Sequence, residues 1–353
     1  MAQNLPDIGN LFMVGFHGTR FDGEARELID ELNPCGVILF SRNILDPVQT
    51  AELNRDVQSY ALNNHRPGLF IGVDQEGGRV RRLREPFAVF PPALELASSD
   101  AQEEAVREFA RVTTLEIRLA GFNVDFAPVL DVLDRTEDLS SSVIGDRSYG
   151  YDPAAVSRLG GIVIETMRSH GVIPCGKHFP GHGGTLVDSH LELPVDDRQW
   201  DEIRIRDLVP FRDAVNMNVE MLMTAHILYP ALDPEFPATL SAPIIRGTLR
   251  ETLHYHGVVI TDDLDMAAVA HHFPIEECAL KALSAGVDIL LVCNSPEKAL
   301  SARSSLAEVV KDGRISQGRI EESLRRIHRL KSRNAPSLKP CDPATVLEYF
   351  ERS

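Results

Sequence analysis

The stretch KHFPGHGGTLVDSHLELP, Lys177 to Pro194, gathers one lysine, three histidines, an aspartate and three glycines. Packing alone does not ask for that mixture. Metal ligation, proton transfer or an ordinary loop would each account for it. His178, His182 and His190 with Asp188 offer nitrogen and oxygen donors. The H-x-x-x-H spacing, however, puts two rings on one face only in a helix, and Pro180 with the three glycines denies this segment a helix. No metal is expected. In the D-S-H run, Asp188 stands two residues before His190. A turn there would let the carboxylate accept from one ring nitrogen, orient the imidazole and favour its protonated form. A solvent-exposed loop histidine is the plainer alternative.

Two further stretches carry paired charges. GVVITDDLDM places Asp262 and Asp263 at the end of an apolar run. Neighbours on a strand face opposite ways, so one carboxylate can face a site and attack an electrophilic carbon while the other caps or braces the next element. DQEGGRVRRL sets Asp74 beside Arg79, Arg81, Arg82 and Arg84 around a glycine turn. The G-x-x-x-x-G-K-[ST] pattern is missing and the aspartate would repel phosphate, which argues against a nucleotide cradle. Carboxylate and guanidinium together suit a neutral polyhydroxylated ligand. A purely structural Arg–Asp pair is the competing reading.

These residues need a frame. LFMVGF, GVILF, LFIGVD, NVDFAPVLDV, VIPCGKH, VEMLMTAH, GVVITDD and VDILLVCN read as buried strands, with amphipathic segments between many of them. Asp46–Pro47 and Asp152–Pro153 mark two helix starts, the second helix closing at Gly171. Continuous apolar strands joined through helices indicate a parallel α/β sheet, and about eight of them predict a single-domain (β/α)8 TIM barrel, with a doubly wound open sheet as runner-up. The barrel is expected over residues 1–335, with a helical C-terminal extension over 336–353. Barrel chemistry collects where strands end. Asp74, Asp131, Lys177, His178, His226, Asp262, Asp263 and Asn294 all fall at such ends.

Composition narrows the class. A formal charge of -16 over 353 residues excludes nonspecific attraction to nucleic acid or anionic lipid, and no apolar run is long enough for a membrane span. The N-terminus lacks the pattern of an export signal. Five scattered cysteines without a C-x-x-C pair suggest neither disulfides nor a zinc knuckle. A cytoplasmic monomer without cofactor is expected.

Taken in order, DQEGGRVRRL, FAPVLDV, IGDRSYG, KHFPGHG with DSH, and GVVITDDLDM resemble the family 3 glycoside hydrolases of the bacterial β-N-acetylglucosaminidase type, over most of the chain. The resemblance implies a TIM barrel that removes non-reducing terminal β-linked N-acetylglucosamine, with peptidoglycan fragments (muropeptides) as substrates in recycling, through a covalent glycosyl-enzyme. It implies Asp262 as nucleophile and His190 as acid/base, with Asp188 as its partner. It also implies sugar contacts from Asp74, Arg82, Arg147, Lys177 and His178. TDD stands where many relatives have SDD, and GDRSYG where they often have GERSYH; both changes keep the functional group. A histidine near neutral pH can donate a proton in the first step and accept one in the second. Phosphate could replace water as acceptor, which would make the protein a phosphorylase. A noncatalytic sugar-binding barrel is the reading from another class.

Overall fold

The computed structural model describes residues 7–134, 142–185 and 192–352. Eight parallel strands form one sheet: β1 (Phe12–Gly15), β2 (Gly36–Ile38), β3 (Phe70–Val73), β4 (Val124–Asp125), β5 (Ile173–Phe179), β6 (Met221–Thr224), β7 (Val258–Ile260) and β8 (Leu290–Val292). Each pairs with the next from β1 to β7, and β8 pairs with β1. A parallel bridge between Ile260 and Ile289 joins β7 to the start of β8 and closes the ring. The fold is a (β/α)8 barrel, and every strand read from the sequence has its counterpart.

Burial on both faces explains the unbroken apolar runs. The residues of β1, β2, β3, β6, β7 and β8 are all buried. Each fully buried Val, Ile, Leu or Phe contributes roughly 1.5–3 kcal/mol relative to exposure. NVDFAPVLDV differs from expectation in one respect. Its regular strand ends at Asp125, and pairing resumes only at a bridge between Val129 and Lys177. Pro128 carries no amide hydrogen and cannot continue the ladder.

Helices start where capping chemistry directs. Asp46 Oδ1 accepts from Gln49 N at 2.8 Å at the head of helix Pro47–Asn63. Asp152 Oδ1 accepts from Ala154 N at 3.1 Å at the head of helix Pro153–Ser169. Such a cap contributes about 1 kcal/mol. Helix Pro343–Arg352 packs against helices Pro47–Asn63 and Gln102–Leu119, with Val346 fully buried. No helix among the described residues is long and apolar enough to cross a membrane.

Candidate active site

The carboxyl ends of the strands open on a cavity of about 440 Å³, within the size range of small-ligand sites. Asp74, Arg82, Arg147, Lys177, His178 and Asp262 all line it. They arrive from the ends of β3, β5 and β7 and from the loop after β4, as barrel topology requires. Asp188 and His190 lie outside the described residues.

Asp74 follows β3, and a short hairpin of Gln75–Gly77 with Val80–Arg81 carries the chain on to Arg82. Lys177 Nζ donates to Asp74 Oδ1 at 2.8 Å, and an Arg82 guanidinium nitrogen lies 3.3 Å from Oδ2. Burial pushes the Asp74 carboxyl up, but the Lys177 and Arg82 cations outweigh it and hold the group below its ordinary value. Of the four arginines after Asp74, only Arg82 pairs with it. Arg79 instead reaches Asp146 at 2.9 Å and the carbonyls of Ser142, Val143 and Ile144, tying the hairpin to the segment that carries Arg147.

Lys177 and His178 are neighbours in β5, yet both line the cavity. The register against β6 shifts between Gly176 and Phe179, and such an irregularity re-aims side chains that regular alternation would send to opposite faces. His178 Nδ1 lies 2.7 Å from Asp131 Oδ2, and the backbone amides of His178 and His182 both donate to Asp131 Oδ1. Burial raises the Asp131 carboxyl, but His178 and these donors hold it below its ordinary range. Arg147 Nη2 donates over 3.5 Å toward His178 Nε2. Arginine has no acceptor, so in the neutral ring the two contacts together assign the proton to Nδ1.

His182 is buried against the His178 ring, and burial, helped by His178, pushes its pKa down to about 4. Thr185 Oγ1 meets its Nδ1 at 2.9 Å. The glycines around it answer to space. A Cβ on Gly183 would sit 1.9 Å from the Val132 carbonyl oxygen, and Gly181 has φ +137° with Asp207 at 2.7 Å from a Cβ. Among the described residues no group of three or more His, Cys, Asp or Glu could hold a metal ion.

Asp262 and Asp263 follow β7. Burial pushes the Asp262 carboxyl up, while His178, His226, the Asp263 amide at 2.8 Å and Lys177 hold it below its ordinary value, so it stays ionised at neutral pH. Asp263 accepts from the amides of Asp265 and Cys293, each at 3.0 Å, and from Asn294 Nδ2 at 3.3 Å. It braces the loop against the end of β8. Burial pushes its pKa up to about 6.

The family model described as the glycosyl hydrolase family 3 N terminal domain matches residues 6–330. The chain belongs to glycosyl hydrolase family 3. This family 3 chain is 42% identical over 328 residues to the β-hexosaminidase of Alkalilimnicola ehrlichii, covering 90% of this chain and 92% of that relative. It superposes on a glycoside hydrolase family 3 β-N-acetylglucosaminidase from Paenibacillus sp. str. FPU-7 with TM-score 0.89 at 39% identity, over 95% of this chain but 63% of that longer one. It is also similar to NagZ from Neisseria gonorrhoeae, solved in complex with N-trifluoroacetyl-D-glucosamine. That match has TM-score 0.75 at 30% identity and covers 94% and 98% of the two chains.

Two carboxylates of this family 3 hydrolase were absent from the site expected on sequence. Sequence marks Asp131 only as one of the strand-end polar residues. Glu76 has no place in the sequence expectation, yet it lines the cavity and pairs with both Arg147 and Lys177. Its signal was the i, i+2 spacing from Asp74 in DQEGG, which puts both side chains on one side of an extended segment.

Proposed function

We propose that this family 3 hydrolase is a retaining β-N-acetylhexosaminidase that removes non-reducing terminal β-linked N-acetylglucosamine from glycans, muropeptide fragments of peptidoglycan among them. The observation that carries the reading is an ionised, fixed Asp262 carboxylate sharing one small cavity with Asp74, Arg82, Arg147, Lys177 and His178. That set offers acceptors and donors for hydroxyl and acetamido groups and one group placed to be a nucleophile. The similarity to proteins named β-hexosaminidase and β-N-acetylglucosaminidase supports the same substrate class.

In the first step an Asp262 oxygen attacks the anomeric carbon. The bond to the leaving oxygen breaks as that oxygen takes a proton from the His190 imidazolium. In the second step His190, now neutral, removes a proton from water, and the hydroxide displaces Asp262 from the sugar with net retention. Asp188 holds the ring in place and favours its charged form. The histidine takes the position that a second carboxylate fills in most glycosidases.

The test is a comparison of an aryl N-acetyl-β-glucosaminide with the matching β-glucoside, in buffers with and without phosphate. The expected result is release of free N-acetylglucosamine from the first substrate at a much higher kcat/KM. A sugar 1-phosphate as main product would make the enzyme a phosphorylase. Inertness toward both substrates would end the assignment.

A further inference from the structure

Glu76 lines the cavity, yet both its oxygens are held by protein cations. Oε2 accepts from Arg147 Nε at 2.8 Å, and Oε1 accepts from Arg147 Nη2 at 2.9 Å and from Lys177 Nζ at 2.6 Å. Its side chain is only 4% exposed. Lys177 is shared with Asp74, which pairs in turn with Arg82. The series Arg82, Asp74, Lys177, Glu76, Arg147 therefore sets three cations against two carboxylates along one wall. Asp262 lines the same cavity, close enough for the Lys177 charge to act on it.

Displacement at a glycosidic carbon passes through an oxocarbenium-like transition state, in which positive charge grows on the sugar ring. Lysine and arginine beside that ring are good hydrogen-bond donors to its hydroxyls, but their charge opposes the reaction. In a cavity shielded from water the opposition is large. We infer that Glu76 is a positioning residue for catalysis: by bridging Lys177 and Arg147 it fixes both donors toward the sugar and offsets their charge, so that positive charge can develop at the anomeric carbon. The role rests on the retaining mechanism proposed above. A space-filling role would need only a side chain of this shape, and glutamine supplies that without the charge.

The experiment measures two affinities on one protein. One ligand is neutral N-acetylglucosamine. The other is a piperidine iminosugar with the same acetamido pattern, used at a pH where its ring nitrogen is protonated, as a mimic of the charged transition state. In Glu76→Gln the preference for the cationic ligand should fall about tenfold or more, and kcat should fall on the order of 10- to 100-fold with a smaller change in KM. That is the size expected for one unit charge about 6–12 Å from the anomeric carbon at an effective dielectric constant near 20. Glu76→Asp keeps the charge and should keep most of the preference, even with looser pairing to Arg147. Because the readout is a ratio of affinities, a partly unfolded sample does not alter it. Equal weakening of both ligands in Glu76→Gln, or loss of the preference in Glu76→Asp as well, would overturn the inference. Failure of N-acetylglucosamine to bind the unaltered protein would instead remove the substrate assignment, and this role with it.

Discussion

Asp131 and His178, 47 residues apart in the chain, meet through a buried Oδ2–Nδ1 contact of 2.7 Å. With Arg147 donating toward the opposite ring nitrogen, the pair fixes the His178 ring beside the Arg147 guanidinium at the cavity wall. Asp131→Asn removes the charge and allows the amide to face the ring with either its oxygen or its nitrogen, so the tautomer is no longer fixed. Competitive inhibition by N-acetylglucosamine should weaken about 10- to 100-fold, the range of one lost charge-assisted hydrogen bond. Nitrogen NMR of labelled histidine should show the proton shifting from Nδ1 toward Nε2. Unchanged inhibition and an unchanged tautomer would leave Asp131 a structural residue only.

The adjacent aspartates after β7 should separate cleanly. Asp262→Ala should lower turnover by several orders of magnitude, as loss of a covalent nucleophile does. Asp263 braces the backbone of Asp265 and Cys293, so Asp263→Ala should show itself first as a lower melting temperature. Mass spectrometry after trapping with a slow fluorinated substrate should find the sugar on Asp262. A label on Asp263 would reverse the two roles.

His190 can be tested through leaving groups, independently of any contact it makes. His190→Ala should damage cleavage of N-acetylglucosaminyl sugars far more than cleavage of activated aryl glycosides, whose departing phenolate needs little protonation. The second step still lacks its base, so a burst of phenol should precede a slow steady state. Asp188→Asn should give a milder form of the same pattern. Equal slowing of both substrate classes without a burst would assign the proton transfer to another group.

Stability should carry the mark of a lysine remote from the cavity. Lys331 is buried, with Nζ 5.1 Å from the Phe70 ring centre and no hydrogen-bond partner among the described residues. Burial pushes its pKa down from 10.5 to about 8. The folded form therefore binds fewer protons than the unfolded form between those values, and this group makes stability rise with pH across that window. Below pH 8 the buried charge costs about 3 kcal/mol, taking ~1.4 kcal/mol per unit. Lys331→Met should be more stable than the unaltered protein at pH 7, with the gap closing toward pH 10.5, as read by urea unfolding at several pH values. A gap independent of pH would mean that Lys331 is not buried in its charged form.

The barrel was legible in the sequence because its evidence is local. A parallel strand covered on both faces must be apolar along its length, and a helix start needs a capping group beside it; both conditions act on neighbouring residues. The rule that chemistry gathers at strand ends places Asp74, Lys177, His178 and Asp262 together from sequence alone. The motifs of a family 3 hydrolase supplied Arg82 and Arg147. Tertiary structure alone decided the partners. Arg147 and Glu76 are 71 positions apart, and Lys177 and Asp74 are 103 apart. No local pattern states which carboxylate neutralises which cation, because that depends on loops from different strands meeting over one cavity. The same holds for TDD. Sequence placed two carboxylates at the end of β7, and both line the cavity, but only the amides of Asp265 and Cys293, folded back onto Asp263, made one of them the brace.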